Sequence, residues 1–276
     1  GTTGWFQFGG FNFQPVEFMK LALVLVLARR FSGRRGSDLT WKEILITGGL
    51  TIIPALLVFL QPDLGSAFVL VATWGILLLF ARISKRQILT LLGVAVVLAA
   101  GFWQFGLVEY QKARLTSFVH PASDPLGGGY NVAQAVIAVG SGQWFGRGLG
   151  FGSQSQLRFL PEAHTDFVLA VIAEELGFFG LVLVFSAFAV LFWRLALLAL
   201  RSADGFTVFL ALGIGAVIFV QFVVNAGMNL GLMPVTGITL PFVSYGGSSL
   251  IFFLLMIGVA ESASLRPSVF EEQSQQ

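Results

Sequence analysis

The chain has 276 residues, of which 56% are hydrophobic and only 11% charged, with a mean hydropathy of +0.85. Soluble domains carry about 25% charged residues, so these proportions exclude a water-soluble globular protein and point to an integral membrane protein. Cysteine is absent and histidine occurs twice, which removes disulfide staples, thiolate metal sites and most imidazole zinc centres. A net charge of +2 is too small to mark a nucleic-acid binder.

The sequence opens on Gly1-Thr2-Thr3 rather than Met and runs almost at once into apolar residues, without the flanks of a signal peptide, so an upstream portion is expected. Seven spans follow, at 14–31, 43–60, 65–82, 87–106, 167–200, 206–228 and 239–261, each near the roughly 20 apolar residues a bilayer demands. Lipid-facing backbone must satisfy its own hydrogen bonds, so the spans are predicted to be helices of one all-α, polytopic membrane domain covering 1–276. Arg29, Arg30, Arg34, Arg35 and Lys42 follow the first span, Arg82, Lys85 and Arg86 the third, Arg194 and Arg201 close the fifth, and Arg266 follows the seventh. The connections at 61–65 and 229–236 carry no Lys or Arg. The positive-inside rule places the basic group in the cytoplasm, with 267–276 as a disordered cytoplasmic tail.

The connection at 107–165 is then external. It contains Asp124-Pro125, a triple glycine at 127–129, an apolar helix-like run at 130–139 and glycine-rich backbone at 140–152. Long loops in compact proteins usually serve function, so this one is expected to pack over the helices as a cap. Beyond it lies Phe159 to Gly177, FLPEAHTDFVLAVIAEELG, which gathers Glu162, His164, Asp166, Glu174 and Glu175 at the mouth of a span. Ionisable groups so placed in an apolar chain suggest a site. The segment 167–200 would run about 51 Å as one helix, against a hydrocarbon core of roughly 30 Å. It either overshoots the membrane or breaks at Gly177 and Gly180. By capping preference alone Asp166 is equally an N-cap, and His164 equally a surface residue.

Other constellations carry paired interpretations. Glu17 and Lys20 share a helix face, either as a self-neutralising pair or as a lysine kept for an anionic headgroup. Gln61-Pro62-Asp63 reads as helix-start chemistry. Arg114, Arg147 and Arg158 are external cations able to meet phosphate or simply to face water. Ser244 and Tyr245 begin the seventh span among small residues, where they either permit close helix approach or line a cavity.

Taken in order, several blocks resemble the SEDS family (shape, elongation, division and sporulation), which includes RodA, FtsW and SpoVE. They are Phe13-Gln14-Pro15 through Glu17 and Lys20; Gln61-Pro62-Asp63-Leu64-Gly65; Tyr110-Gln111 with Arg114-Leu115; Asp124-Pro125 with Gly129-Tyr130; Gly140-Ser141-Gly142; Leu160-Pro161-Glu162-Ala163-His164-Thr165-Asp166-Phe167 with Glu174-Glu175-Leu176-Gly177; and Gly231-Leu232-Met233-Pro234 running into Leu240-Pro241-Phe242-Val243-Ser244-Tyr245-Gly246-Gly247. RodA-like features are slightly favoured, at Asp124-Pro125-Leu126 and Gln154-Ser155-Gln156-Leu157. Asn12 and Gly4 depart from the family pattern on the amino-terminal side.

The resemblance implies a ten-helix peptidoglycan glycosyltransferase, here without its first three helices. Such an enzyme polymerises lipid II into β-1,4 glycan strands at the outer face of the bacterial cytoplasmic membrane during elongation or division. Its implied partners are a class B penicillin-binding protein transpeptidase and other elongasome or divisome membrane proteins. It also implies that Asp166 is the essential acid. Around it, Glu17, Lys20, Arg114, His164, Thr165, Glu174, Ser244 and Tyr245 are expected to bind substrate. Asp166 is then either the general base or a ligand of a divalent cation, Mg²⁺ or Mn²⁺. No metal ligand set is predicted. The competing functions are a flippase for lipid II or another polyprenol-linked sugar, and a silent scaffold for the transpeptidase.

Overall fold

A computed structural model describes residues 4–8, 11–33, 38–106, 112, 116, 118, 128–157, 159, 160 and 162–265. Helices dominate. The only strands among the described residues are β1 (Phe6–Phe8) and β2 (Phe11–Phe13), an antiparallel hairpin pairing Phe6 with Phe13 that the apolar periodicity did not announce. Then come α1 (Pro15–Ser32), α2 (Trp41–Leu60), α3 (Leu64–Phe80), α4 (Lys85–Gly101) with a π-helical turn at Phe102–Gly106, α5 (Gly128–Gly142), the single turn α6 (Ser153–Gln156), α7 (Val168–Arg201), α8 (Gly205–Asn229) and α9 (Gly247–Ser264).

A helix therefore stands at each predicted span. Five are long and apolar enough to cross a membrane: α2, α4 with its π turn, α7, α8 and α9. The shorter α3 is comparably apolar, whereas α1 carries Glu17, Lys20, Arg29 and Arg30. The protein is a multi-pass membrane protein. The seventh span is corrected at its start, because 240–246 forms turns and α9 opens only at Gly247. The tail at 267–276 lies outside the described residues.

The chain forms two compact units. The first holds residues 1–84, 189–220 and 246–276. Its α1 begins with Pro15 at the first helical position, where a missing N–H costs nothing. A tight corner joins α2 to α3: the Asp63 carboxylate accepts from Ser66 N at 2.9 Å and Ser66 Oγ at 2.7 Å, capping α3 as the helix-start motif predicted. Gly48 lets Trp74 lie against α2, and Trp74 Nε1 donates to Thr47 Oγ1 at 3.1 Å. Val24 and Leu77 fill the space in front of Gly213, and Phe31 stacks on Phe209 with ring centres 5.5 Å apart. At the start of α8, Asp204 accepts from Phe206 N, Thr207 N and Thr207 Oγ1.

The second unit holds 85–188 and 221–245. In it α4 buries only Gln87 and turns nearly all its apolar side chains outward, as a lipid-facing helix does. Its core is Ala135 and Ala138 of α5, Leu160, Phe167, Ala170 and Met228.

Candidate functional site

The site grows from the turn 162–167. Glu162 adopts a positive φ of 53°, and its carbonyl accepts from Thr165 N, Asp166 N and Phe167 N at 3.1, 3.1 and 3.3 Å. Leu160 and Phe167 drop into the core on either side, so the turn is held at both ends by apolar burial. Between them Asp166 is left half-buried at the entrance of α7, the positive end of the helix dipole.

Two asparagines fix its backbone. Asn225 Nδ2 and Asn229 Nδ2, both fully buried on α8, each donate to the Asp166 carbonyl at 2.9 Å. Asn229 Oδ1 accepts from Ala170 N at 2.9 Å, and Asn225 Nδ2 also donates to the Ile238 carbonyl at 2.8 Å. One helix thus clamps the first turn of another and the irregular return segment beyond it. Sequence analysis missed both residues, although their spacing of four on an apolar helix was the available signal. Gly237 faces the carboxylate: a Cβ there would stand 3.7 Å from Asp166 Oδ2.

Thr165 and His164 are fastened to the segment ahead of α9. Ser244 Oγ donates to the Thr165 carbonyl at 2.5 Å while accepting from Leu240 N at 2.8 Å, and Tyr245 N donates to the His164 carbonyl at 2.9 Å. The Thr165 hydroxyl donates to Glu162 Oε2 at 3.0 Å. His164 and Tyr245 keep exposed side chains, His164 two residues before Asp166 and Tyr245 brought to the same turn by its backbone N–H, whereas the Ser244 hydroxyl is taken up as a tether.

Glu174 is fully buried. Its Oε1 accepts from Gln154 N at 2.9 Å and Ser153 Oγ at 3.3 Å, and Arg147 Nη1 donates to the same Ser153 hydroxyl at 2.8 Å. The cause is a break at Gly177, where φ 68° and ψ −160° lift the backbone out of the helix. Carbonyls before the break and N–H groups after it lose helical partners. The glycine-rich loop supplies them: Arg147 N and Gly148 N donate to the Glu174 and Glu175 carbonyls, and Phe178 N and Phe179 N donate to the Gln143 and Trp144 carbonyls. A Cβ at Gly177 would collide with Gly146 N. Of the two alternatives for 167–200 the chain takes the break, at Gly177 alone, with Gly180 within the helix, and 143–148 of the long connection packs on α7.

Glu17 and Lys20 belong to the first unit. Lys20 Nζ lies 2.7 Å from Glu17 Oε2 and 5.4 Å from the Phe253 ring centre, both side chains buried. The contact is an ion pair rather than a well-aligned hydrogen bond. Arg114 lies outside the described residues. Among the described residues no three carboxylate or imidazole groups gather as a metal cage.

Residues 1–267 match the FtsW/RodA/SpoVE family, described as cell cycle proteins. The chain is 40% identical over 270 residues to the stage V sporulation protein E of Bacillus subtilis, covering 96% of this chain and 72% of that one. It is 43% identical over 267 residues to the peptidoglycan glycosyltransferase MrdB of Escherichia coli, covering 95% and 70%. Among solved structures it resembles a chain of a peptidoglycan synthase complex studied for the coordination of polymerization and crosslinking, with a TM-score of 0.79, 32% identity, and coverage of 97% of this chain and 75% of that one. The rod shape determining protein RodA of Thermus thermophilus matches with a TM-score of 0.66 and 29% identity, covering 97% and 71%.

Proposed function

We propose that this chain, which belongs to the FtsW/RodA/SpoVE family, is a peptidoglycan glycosyltransferase that joins lipid II units into β-1,4 glycan at the outer face of the bacterial cytoplasmic membrane. The observation that carries the proposal is a half-buried carboxylate whose backbone is clamped by two buried asparagines, with a side-chain-free glycine facing it. A base of this kind must be accessible to one hydroxyl and rigid enough to stay in register with it.

The chemistry balances in one displacement. The acceptor sugar hydroxyl gives its proton to the Asp166 carboxylate as its oxygen forms a bond to the anomeric carbon of the donor. The anomeric carbon–pyrophosphate oxygen bond breaks with inversion, and the polyprenyl pyrophosphate leaves with the electron pair. A positioned carboxylate contributes roughly 10²–10⁴-fold to such a step. His164, Thr165 and Tyr245 are proposed to line the sugar side, and Arg114 and Lys20 to meet negative charge on the substrate. Bound Mg²⁺ or Mn²⁺ would supply further charge neutralisation to a pyrophosphate. In this step Asp166 is proposed as the base; a cation of this kind needs only one or two carboxylates with water, so Asp166 as its ligand is the second reading. A class B penicillin-binding protein is the proposed partner, supported by the similarity to a chain of a peptidoglycan synthase complex.

The test is lipid II polymerisation by purified protein in liposomes, comparing wild type with Asp166→Asn. The variant is expected to lose activity by at least about 10²-fold while still binding lipid II. Wild-type glycan chains from the variant would refute the role of Asp166. Disappearance of lipid II from one leaflet without polymer would favour the flippase.

A further inference from the structure

We infer that the loop at 143–159 is a membrane-interface anchor, seated among the headgroups and upper acyl chains of the bilayer rather than standing in water. Trp144, Phe145 and Phe151 are 64%, 80% and 77% exposed, and Leu149, Leu157 and Phe159 are exposed with them. So dense a run of outward apolar side chains has no counterpart in a loop facing water, where patches of this kind mark a contact with protein or membrane.

Three observations favour the bilayer as occupant. First, the patch continues an apolar surface of α7. Trp144 packs edge-on against Phe178 with ring centres 5.1 Å apart, and Phe145 lies 5.1 Å from Phe179. Below these, Val182, Leu183 and Phe185 of the same helix are themselves exposed, as lipid-facing side chains are in a multi-pass protein.

Second, the irregular backbone is internally bonded. Gly146 N, Arg147 N, Gly148 N, Phe151 N and Gln154 N all donate within the unit, and the buried Glu174 carboxylate is shielded beneath them. Irregular backbone is tolerated at membrane depth only when its polar groups find partners in protein.

Third, the side-chain chemistry is that of an interface. The sequence of 143–159 sets Trp and Phe among two cations and no acid, Arg147 and Arg158, and the exposed Arg147 side chain reaches Ser153. Aromatic residues with a basic residue beside them settle at the headgroup level, where the ring is apolar and the cation meets phosphate. The loop runs directly into the turn that carries Asp166, so the anchor fixes the depth at which the turn sits.

Because the chain has no cysteine, single-cysteine variants report one position each. Phe145→Cys, Leu149→Cys and Phe151→Cys are nitroxide-labelled in the full chain in liposomes of phosphatidylethanolamine and phosphatidylglycerol. Leu183→Cys serves as a lipid-facing reference and Asp38→Cys as an aqueous one. Relaxation by oxygen and by a water-soluble nickel chelate is then measured. The expected result is oxygen access close to that of the Leu183 site, with nickel access several-fold below that of the Asp38 site, at two or more loop positions. Nickel access equal to that at Asp38 places the loop in water and overturns the inference. Low access to both reagents means that protein covers the patch, and overturns it equally.

Discussion

Replacing Asn229 by leucine removes four hydrogen bonds while keeping the number and branching of the side-chain heavy atoms. Nδ2 no longer reaches the Asp166 carbonyl, Asn225 O or Asn225 Oδ1, and Ala170 N loses the side-chain acceptor that binds it. The Asp166 carbonyl keeps Asn225, so its loss is partial. Ala170 N, fully buried, is left without that partner, and an unsatisfied buried donor costs about 1–3 kcal/mol. Polar contacts between membrane helices average nearer 0.6 kcal/mol each, because the unfolded helices also find partners. A total near 2 kcal/mol follows. If that loss falls on the geometry of the reacting carboxylate it lowers kcat about 30-fold. Lipid II polymerisation at saturating substrate, with thermal unfolding alongside, measures both shares. The expectation is a reduced kcat with little change in KM, since the clamp holds the base and not the lipid. A variant with wild-type kcat and wild-type unfolding temperature refutes the clamp. Asn229→Asp should do worse than leucine, because a carboxylate would face the Asp166 and Asn225 carbonyls in a buried site.

Gly177→Ala places a side chain in a backbone region open almost only to glycine and against Gly146 N, so it should detach the loop from α7. Faster protease cleavage within 143–157 is the readout. Lys20→Met leaves Glu17 as a buried unpaired charge, with an expected cost of about 3–5 kcal/mol in thermal stability. The double variant Glu17→Gln, Lys20→Met should recover most of that stability. If it also recovers polymerisation, the pair is structural, and if it stays inactive, Lys20 serves the substrate. At Asp204 burial pushes the carboxyl up, but bonds from Phe206, Thr207 and the nearby Arg29 outweigh it, so the net direction is downward. That stabilisation is present above the unfolded carboxylate range, near pH 4, and is lost as pH falls through the lower folded value. Asp204→Ala should cost about 1 kcal/mol at neutral pH, and its unfolding temperature should converge with wild type in strong acid.

Much of this protein was decided locally and could be read directly. Runs of some 20 apolar residues have one solution in lipid, so the positions of the helices followed from the hydropathy pattern and the cap at Asp63 from its helix-start motif, whereas the break at Gly177 was one of two alternatives. The scarcity of acids marked the stretch that holds Glu162, Asp166, Glu174 and Glu175, and the resemblance to the family singled out Asp166 within it. Tertiary structure decided what those side chains touch. Nothing in the local pattern separates the carboxylate of Glu174, buried to hold a loop, from that of Asp166, left half-open. Nor could spacing alone assign Asn225 and Asn229 to a carbonyl about 60 residues away in sequence, or turn Ser244 from cavity lining into a tether. Hydropathy reports the transfer of each residue into lipid, whereas the partner of a buried polar group is set by which distant backbone atoms packing leaves unsatisfied.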